Sequence, residues 1–184
     1  MTVASILWRR LDTPGHDACR LESVGEGWRL DGAAVFWQEG SPARLTYRVA
    51  CGADWRTRAG VVRGWVGAQS VEAVVRRTSK GGWSLNGTDV PHLDGCDDLD
   101  FGFTPATNLL QLRRVALDIG QGSDVPVAWL DVPAGGLSVL HQRYERRTSG
   151  TYWYEAPRFD YTAVLEIDAA GFARHYPGLW AAEP

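Results

Sequence analysis

The sequence is poor in the residues that mark several protein classes. Only three cysteines, Cys19, Cys51 and Cys96, occur among 184 residues, and they form no CxxC motif and no close pair. An odd number of scattered cysteines argues against a disulfide framework and favours a reducing compartment. No apolar run approaches the roughly 18 residues that span a membrane, and the N-terminal residues lack a signal-peptide pattern. We therefore expect a cytoplasmic protein without a transmembrane segment.

Recognised catalytic and cofactor motifs are also missing. The chain contains no GxSxG elbow, no HExxH zinc motif, no P-loop and no complete GxGxxG. Its four histidines, His16, His92, His141 and His175, form no metal-type pair. The formal net charge of −3 supplies no summed positive field for a nucleic-acid backbone. The sequence thus predicts no cofactor, no metal site and no nucleic-acid partner, and it favours a non-catalytic protein.

Two residue types are abundant. Lys80 is the only lysine, so arginine supplies the rest of the 19 basic residues. The arginine fork suits carboxylate and phosphate recognition, although a GC-rich coding bias gives the same composition. Nine tryptophans each bring a large apolar body and one N–H that needs a partner. They either pack a core or line a groove for a sugar face or an acyl chain, and composition leaves both readings open.

Period-2 alternation dominates the chain and is typical of strands with one buried face. Leu45, Tyr47 and Val49 alternate with polar residues over 44–49, and a similar alternation runs over 159–168. Further candidate strands cover residues 18–23, 28–37, 57–65, 71–77, 112–118, 125–132, 137–146 and 151–155.

Turn signals separate these segments. Asn86-Gly87 is the dipeptide that a type I′ hairpin favours, because both central residues need positive φ. Turns are also predicted at Asp31-Gly32, Gly81-Gly82, Pro133 to Gly136 and Ala170-Gly171. Short helical turns are predicted only near 104–110 and 177–182. We expect an all-β single domain over residues 1–184, built as a strongly curved antiparallel sheet or incomplete barrel with at most one or two short helices.

The densest polar segment is 96–114. Asp98 and Asp100 share one side if the segment is extended, and Thr107 and Asn108 can bond either a turn backbone or a ligand hydroxyl. Paired carboxylates can also catalyse glycoside hydrolysis. Two arginines close the segment, so the favoured explanation is an ion-pair network that orders a long loop, with ligand binding second and catalysis third.

Residues 95–114, with the sequence GCDDLDFGFTPATNLLQLRR, resemble the bacterial glycolipid-binding family that was once catalogued only as a domain of unknown function. Supporting pieces include Trp8, the segment 55–58, Gln142-Arg143-Tyr144, Tyr154, Phe159 and the ending, which consists of 168–171 and 176–179. The resemblance extends through nearly the whole chain. It implies a fold similar to the curved sheet of lipoprotein-localisation factors, and it implies binding of a glycolipid or another amphiphile.

Three hypotheses follow from these observations. The leading one is a monomeric or homodimeric non-catalytic binder whose concave β surface holds an amphiphile. The second is a hydrolase or isomerase that uses Asp98 or Asp100 as acid or base and Arg113 to hold an anion. The third is a structural or interaction domain whose tryptophans only fill the core. The expected ligand-binding residues are Trp55, Asp98, Asp100, Thr107, Asn108, Arg113, Gln142 and Tyr144.

Overall fold

The computed structural model describes all 184 residues, and nearly all of its regular structure is β-strand. The strands are β1 (Thr2–Arg10), β2 (Gly15–Val24), β3 (Gly27–Gln38), β4 (Ser41–Cys51), β5 (Thr57–Val66), β6 (Gln69–Arg77), β7 (Trp83–Leu85), β8 (Thr88–Val90), β9 (Asp98–Phe101), β10 (Gly122–Asp124), β11 (Val127–Leu130), β12 (Leu137–Leu140), β13 (Arg143–Arg146), β14 (Thr151–Ala156), β15 (Tyr161–Ile167), β16 (Ala173–Tyr176) and β17 (Trp180–Ala182). One helix, α1 (Asn108–Val115), and one 3₁₀ turn (Pro157–Phe159) complete the fold. No helix is long and apolar enough to cross a membrane.

The strands form two sheets. Fourteen of them make one large sheet with the order β10-β13-β14-β15-β16-β17-β1-β2-β3-β4-β5-β6-β7-β8. Its centre joins the two ends of the chain, because β1 pairs antiparallel with β17. Its edge strands β8 and β10 do not pair with each other, so the sheet stays open. A second sheet has the order β12-β11-β9, in which β9 and β11 run parallel.

The large sheet curves strongly around the second sheet and α1. Strands β4 and β13 are eight positions apart, which is about 38 Å in a flat sheet at ~4.8 Å per strand. Yet Phe101 contacts Tyr47 of β4 with ring centroids 6.0 Å apart, and Asn108 bonds Tyr144 of β13. Phe101 and Asn108 lie close together, because the Phe101 amide donates a hydrogen bond of 3.2 Å to the hydroxyl of Thr107, the residue before Asn108. A flat sheet cannot make both contacts.

The inner face of the large sheet carries the alternating apolar residues. Along β4, Leu45, Tyr47 and Val49 are buried, while Arg44 and Arg48 face solvent. The outer face is rich in ion pairs, such as Arg48 with Asp31 at 2.7 Å. Side chains from both sheets and from α1 join one hydrophobic cluster of 41 buried residues. The chain segment from β9 to β12 therefore fills the concave side of the sheet.

The predicted fold class is confirmed: the protein is mainly β, with one antiparallel sheet that does not close and a single short helix. The Asn86-Gly87 turn is also confirmed, since it links β7 to β8 with φ of 50° and 85°. The predicted strand 137–146 is two strands, β12 and β13.

Three local predictions are wrong. Residues 112–118 were expected to form a strand, but Asn108–Val115 is helical and buries the five consecutive residues from Asn108 to Leu112. Residues 177–182 were expected to form a helical turn, but they form a hairpin turn and β17. Asp31-Gly32 is not a turn, because it lies inside β3, where the Tyr47 ring occupies the space that a Cβ at Gly32 would need.

Candidate functional site

A partly enclosed cavity of about 380 Å³ lies between the second sheet, α1 and strands β14 to β17. This volume is near the lower end of the range of about 300–1,000 Å³ for small-molecule sites. Seven of its lining side chains are aromatic: Phe101, Trp129, Tyr154, Phe159, Tyr161, Tyr176 and Trp180. A wider depression of about 620 Å³ lies between β1, β2 and the C-terminal residues, but no aromatic side chain lines it. The aromatic cavity is therefore the candidate site.

The aromatic wall is held by mutual packing. Tyr154, Tyr161 and Tyr176 pack in a group with ring centroids 5.5–6.1 Å apart. Trp129 meets Phe159 edge-on at 5.5 Å, and its ring lies against Gly102, where a Cβ atom would collide with it. Glycine at position 102 is thus required for Trp129 to reach this position.

The polar part of the cavity belongs to a buried hydrogen-bond network. Asp100 lies in β9 and accepts bonds from Thr107 and from Gln142 Nε2, the latter at 2.9 Å. Asn108, at the start of α1, donates through Nδ2 to the Tyr144 hydroxyl at 2.7 Å. Of these five residues, Asp100 and Asn108 line the cavity, while the other three lie behind them. The structure thus brings five of the eight predicted site residues into one network.

The hydroxyl of Tyr144 connects the network to α1. It lies 2.7 Å from Gln111 Oε1 and 3.1 Å from Gln142 Oε1, and its single proton can satisfy one of them at a time. Burial holds the pKa of Tyr144 well above its usual value, so the hydroxyl keeps its proton. Gln111 Nε2 is buried without a partner.

Burial also changes the acidity of Asp100. It raises the pKa of the carboxyl from 3.8 to about 6, against the opposing effect of hydrogen bonds from Thr107 and Gln142. A carboxyl with such a pKa can accept hydrogen bonds when ionised and can exchange a proton near neutral pH. This is the one strongly perturbed carboxyl that lines the cavity.

The Asp98 side chain is placed elsewhere. Leu99 packs toward Gly60 of β5 and Phe101 toward Tyr47, so Asp98 and Asp100 share the other face of β9, as predicted. Their partners differ, however, because Asp98 is fully buried and paired with Arg114 at 2.7 Å. Burial raises the pKa of Asp98, and Arg114 opposes this rise.

Asp97 extends the same ion-pair network. It lies 2.8 Å from Arg77, 3.2 Å from Arg56 and 3.8 Å from Arg114. Arg77 also donates to the Asp97 carbonyl at 3.2 Å. These pairs join β6 and α1 to the residues just before β5 and β9, so the ion-pair network favoured from the sequence is present.

Trp55 and Arg113 lie outside the cavity lining. Trp55 stacks on Trp28 with ring centroids 4.4 Å apart. The Arg113 guanidinium lies 5.8 Å from the Trp55 ring and donates to the carbonyls of Ala169 and Ala170. The structure brings these two predicted residues to each other and not to Asp100, because Arg114 is the arginine that faces β9.

The sequence reasoning missed most of the cavity wall. Phe159, Tyr154 and Tyr176 belonged to the segments that carried the family resemblance, but Trp129, Tyr161 and Trp180 carried no signal of a shared site. Arg10 was also missed. It lines the cavity beside Asp12, which it meets at 2.6 Å and 3.0 Å, and its guanidinium lies 5.1 Å from the Trp180 ring.

A second buried carboxyl lies one hydrogen bond behind the wall. Thr104 lines the cavity and donates to Asp17 of β2, and the Tyr47 hydroxyl also donates to Asp17 at 2.9 Å. Burial raises the pKa of Asp17 to about 7, although both hydrogen bonds oppose the rise. Its Oδ1 atom has no partner.

Comparison with known proteins agrees with this architecture. A family model with the description "Putative glycolipid-binding" matches residues 5–182. The chain belongs to this family. A crystal structure of a DUF1089 family protein from Pseudomonas aeruginosa is 27% identical in sequence, with 91% of each chain covered and a TM-score of 0.80. No curated protein matches the chain. The family assignment expected from residues 95–114 is thereby confirmed.

Proposed function

We propose that this family member is a non-catalytic binding protein that takes part of a glycolipid or similar amphiphile into the aromatic cavity. The observation that supports the proposal most is the cavity itself, in which seven aromatic side chains adjoin the polar pair Asp100 and Asn108. A mainly apolar wall with a few placed polar groups is the usual composition of a small-molecule site. The family description points to the same ligand class.

The proposed location differs from the concave face of the sheet, which was expected to hold the amphiphile. That face is covered by the segment from β9 to β12, whose Leu99 and Phe101 are buried against it. The cavity remains only at the side of this segment that faces β14 to β17. Since its volume is about 380 Å³, it holds one part of an amphiphile and leaves the rest outside.

A pair of matched tryptophan variants tests the proposal. Trp129 lines the cavity, whereas Trp65 lies 39% exposed on the outer face of β5. We expect octyl β-glucoside, added below its micelle concentration, to raise the melting temperature of the wild type and of Trp65→Phe. Trp129→Phe retains an aromatic body but should lose about tenfold in affinity, as expected for about 1.4 kcal/mol of lost contact.

Native mass spectrometry and lipid extraction provide the independent measurement. Protein purified gently from a bacterial host should carry an amphiphile, and Trp129→Phe should carry less of it than Trp65→Phe. Equal ligand content in the two variants would exclude the cavity as the binding site. The proposed function would be refuted if the wild type is purified without ligand and its melting temperature does not change when amphiphiles are added.

A second candidate function rests on Asp100. A buried carboxyl with a pKa of about 6 in a partly enclosed cavity has the properties of a general acid or base. Neither Asp98 nor Arg113 lines the cavity, so the second carboxylate and the anion-holding arginine that the sequence suggested do not assist it. Turnover of nitrophenyl glycosides or esters that disappears in Asp100→Asn would establish this candidate, and absence of turnover in the wild type would remove it for those substrates.

A further inference from the structure

The buried tryptophans divide into two groups by the partners of their indole N–H. Trp8 donates to the Ala173 carbonyl at 2.5 Å, and Trp83 donates to the Cys96 carbonyl at 3.0 Å. Trp129 and Trp180 are also mostly buried, at 8% and 5% exposure, but neither indole N–H donates to a protein group, and neither nitrogen is fully enclosed. Both of these tryptophans line the aromatic cavity. Because an indole N–H normally has a partner, these two accessible N–H groups are free to donate to water or to a ligand.

The same cavity also presents free acceptor capacity. Asn108 uses its Nδ2 on Tyr144, and its Oδ1 accepts nothing from the protein. Each carboxylate oxygen of Asp100 accepts one bond, from Thr107 or from Gln142. A carboxylate oxygen has a second lone pair, so Asp100 can accept further bonds from a ligand.

We propose that the part of the amphiphile that enters the cavity is a neutral head group rich in hydroxyls, such as one sugar ring, and that the tail stays outside. This inference rests on the proposed binding function. A hydroxyl both donates and accepts, so a polyol satisfies the two free indoles and the two acceptors together. The faces of the tyrosine and tryptophan rings supply the apolar contact for the ring.

The charges of the lining residues disfavour an anionic head group inside the cavity. Arg10 is the only basic side chain in the lining, and Asp12 neutralises it through two hydrogen bonds of 2.6 Å and 3.0 Å. Arg158 has no carboxylate partner, but it lies outside the lining, 4.8 Å from the Trp129 ring, and donates to Ser138 at 3.0 Å. An anion inside the cavity would therefore meet the carboxyl of Asp100 with no unpaired cation among the lining side chains to balance it.

The path of the tail follows from the exposed aromatic surface at the mouth. Phe159 lines the cavity and is still 51% exposed, in edge contact with Trp129. An acyl chain that leaves the cavity can cover Phe159 and remove this apolar surface from water. When the head group lies inside the cavity, its hydroxyls meet polar side chains and the acyl chain lies on the exposed ring of Phe159.

Three octyl probes of equal chain length test the inference: octyl β-glucoside, octyl phosphate and the octyl ether of tetraethylene glycol. The ether has a neutral, oxygen-rich head but only one hydroxyl. We expect calorimetric titration of the wild type to show the glucoside binding at least about tenfold more tightly than the other two. Trp129→Phe and Asp100→Asn should lose this preference, and Trp65→Phe should keep it.

The outcomes separate the inference from the proposed function. If the ether or the phosphate binds as tightly as the glucoside, hydroxyl recognition is refuted while amphiphile binding stands. If none of the three probes binds, the proposed function fails as well. A preference for the glucoside that survives in Trp129→Phe and in Asp100→Asn would show that the sugar is recognised outside the cavity, and this result would also overturn the inference.

Discussion

At the scale of single residues, the structure separates carboxyls that the sequence cannot distinguish. Asp98 is buried against Arg114 and belongs to an ion-pair network, whereas Asp100 lines the cavity with two neutral hydrogen-bond donors. Asp17 is fully buried, accepts bonds only from hydroxyls and has one oxygen without a partner. An unpaired buried carboxylate is costly, and protonation reduces that cost.

Asp17 therefore makes folding stability depend on pH. Burial raises its pKa from 3.8 to about 7, so between these values the folded state holds a proton that the unfolded state has lost. By linkage, the free energy of unfolding falls as pH rises through this window and is constant above it. At about 1.4 kcal/mol for each tenfold change in proton affinity, the loss is at most about 4 kcal/mol.

The variant Asp17→Asn removes this titration. We expect the difference in free energy of unfolding, variant minus wild type, to increase from pH 4 to pH 7 and to level off above about pH 8. Urea denaturation across this range measures it. Asp89→Asn, at an exposed site on β8, is the matched control and should show no such trend. A flat difference for Asp17→Asn would show that Asp17 does not bind the extra proton.

At the scale of elements, the second sheet depends on close approach to the large one. Gly60 of β5 lies directly under Leu99 of β9, and a Cβ atom at position 60 would collide with the Leu99 side chain. Such a Cβ would also lie 3.2 Å from the Phe101 ring. Since Asp100 lies between these two residues, the packing at Gly60 also fixes the position of the carboxyl in the cavity.

The substitution Gly60→Ala tests this contact. We expect a loss of about 1–3 kcal/mol in the free energy of unfolding, because overpacking must displace Leu99 or the strand. Gly136→Ala is a suitable control, since a Cβ there meets nothing within 4 Å and should change stability by less than about 0.5 kcal/mol. Similar urea midpoints for wild type and Gly60→Ala would mean that β9 accommodates the added methyl group with no loss in the free energy of unfolding.

At the scale of the whole molecule, the two sheets and α1 share one core. The cluster of 41 buried residues includes Trp8 and Val62 from the large sheet, Leu99 and Val127 from the second sheet, and Leu110 from α1. Neither sheet can therefore lose its packing alone while the other keeps its core. A domain of this kind is expected to unfold in one cooperative step.

Two probes can check this cooperativity. Tryptophan fluorescence reports on packing in both sheets, since Trp83 belongs to the large sheet and Trp129 to the second, and far-UV circular dichroism reports on the strands. We expect the urea midpoints of the two signals to coincide. Separate midpoints would show that the two sheets do not unfold in one cooperative step.

The sequence by itself determined the features that depend on near neighbours. Alternation over residues 44–49 identified β4 and its buried face, because successive side chains of a strand point to opposite sides. Asn86-Gly87 identified a hairpin turn, because few residue pairs adopt positive φ at both positions. The residues 95–114 identified the family, whose model matches 5–182. None of these conclusions needed to know which strands become neighbours.

Only the tertiary structure decided the helix at 108–115 and the cavity. The sequence predicted a helical turn at 104–110 and a strand at 112–118, whereas burial of Leu109, Leu110 and Leu112 in the core accompanies a helix that continues to Val115. The cavity combines side chains from β9, β11, β14 to β17 and the end of β1. These segments meet only because β1 pairs with β17 and the large sheet bends around the second sheet. Alternation records which face of a strand is buried, but it does not record what packs against that face.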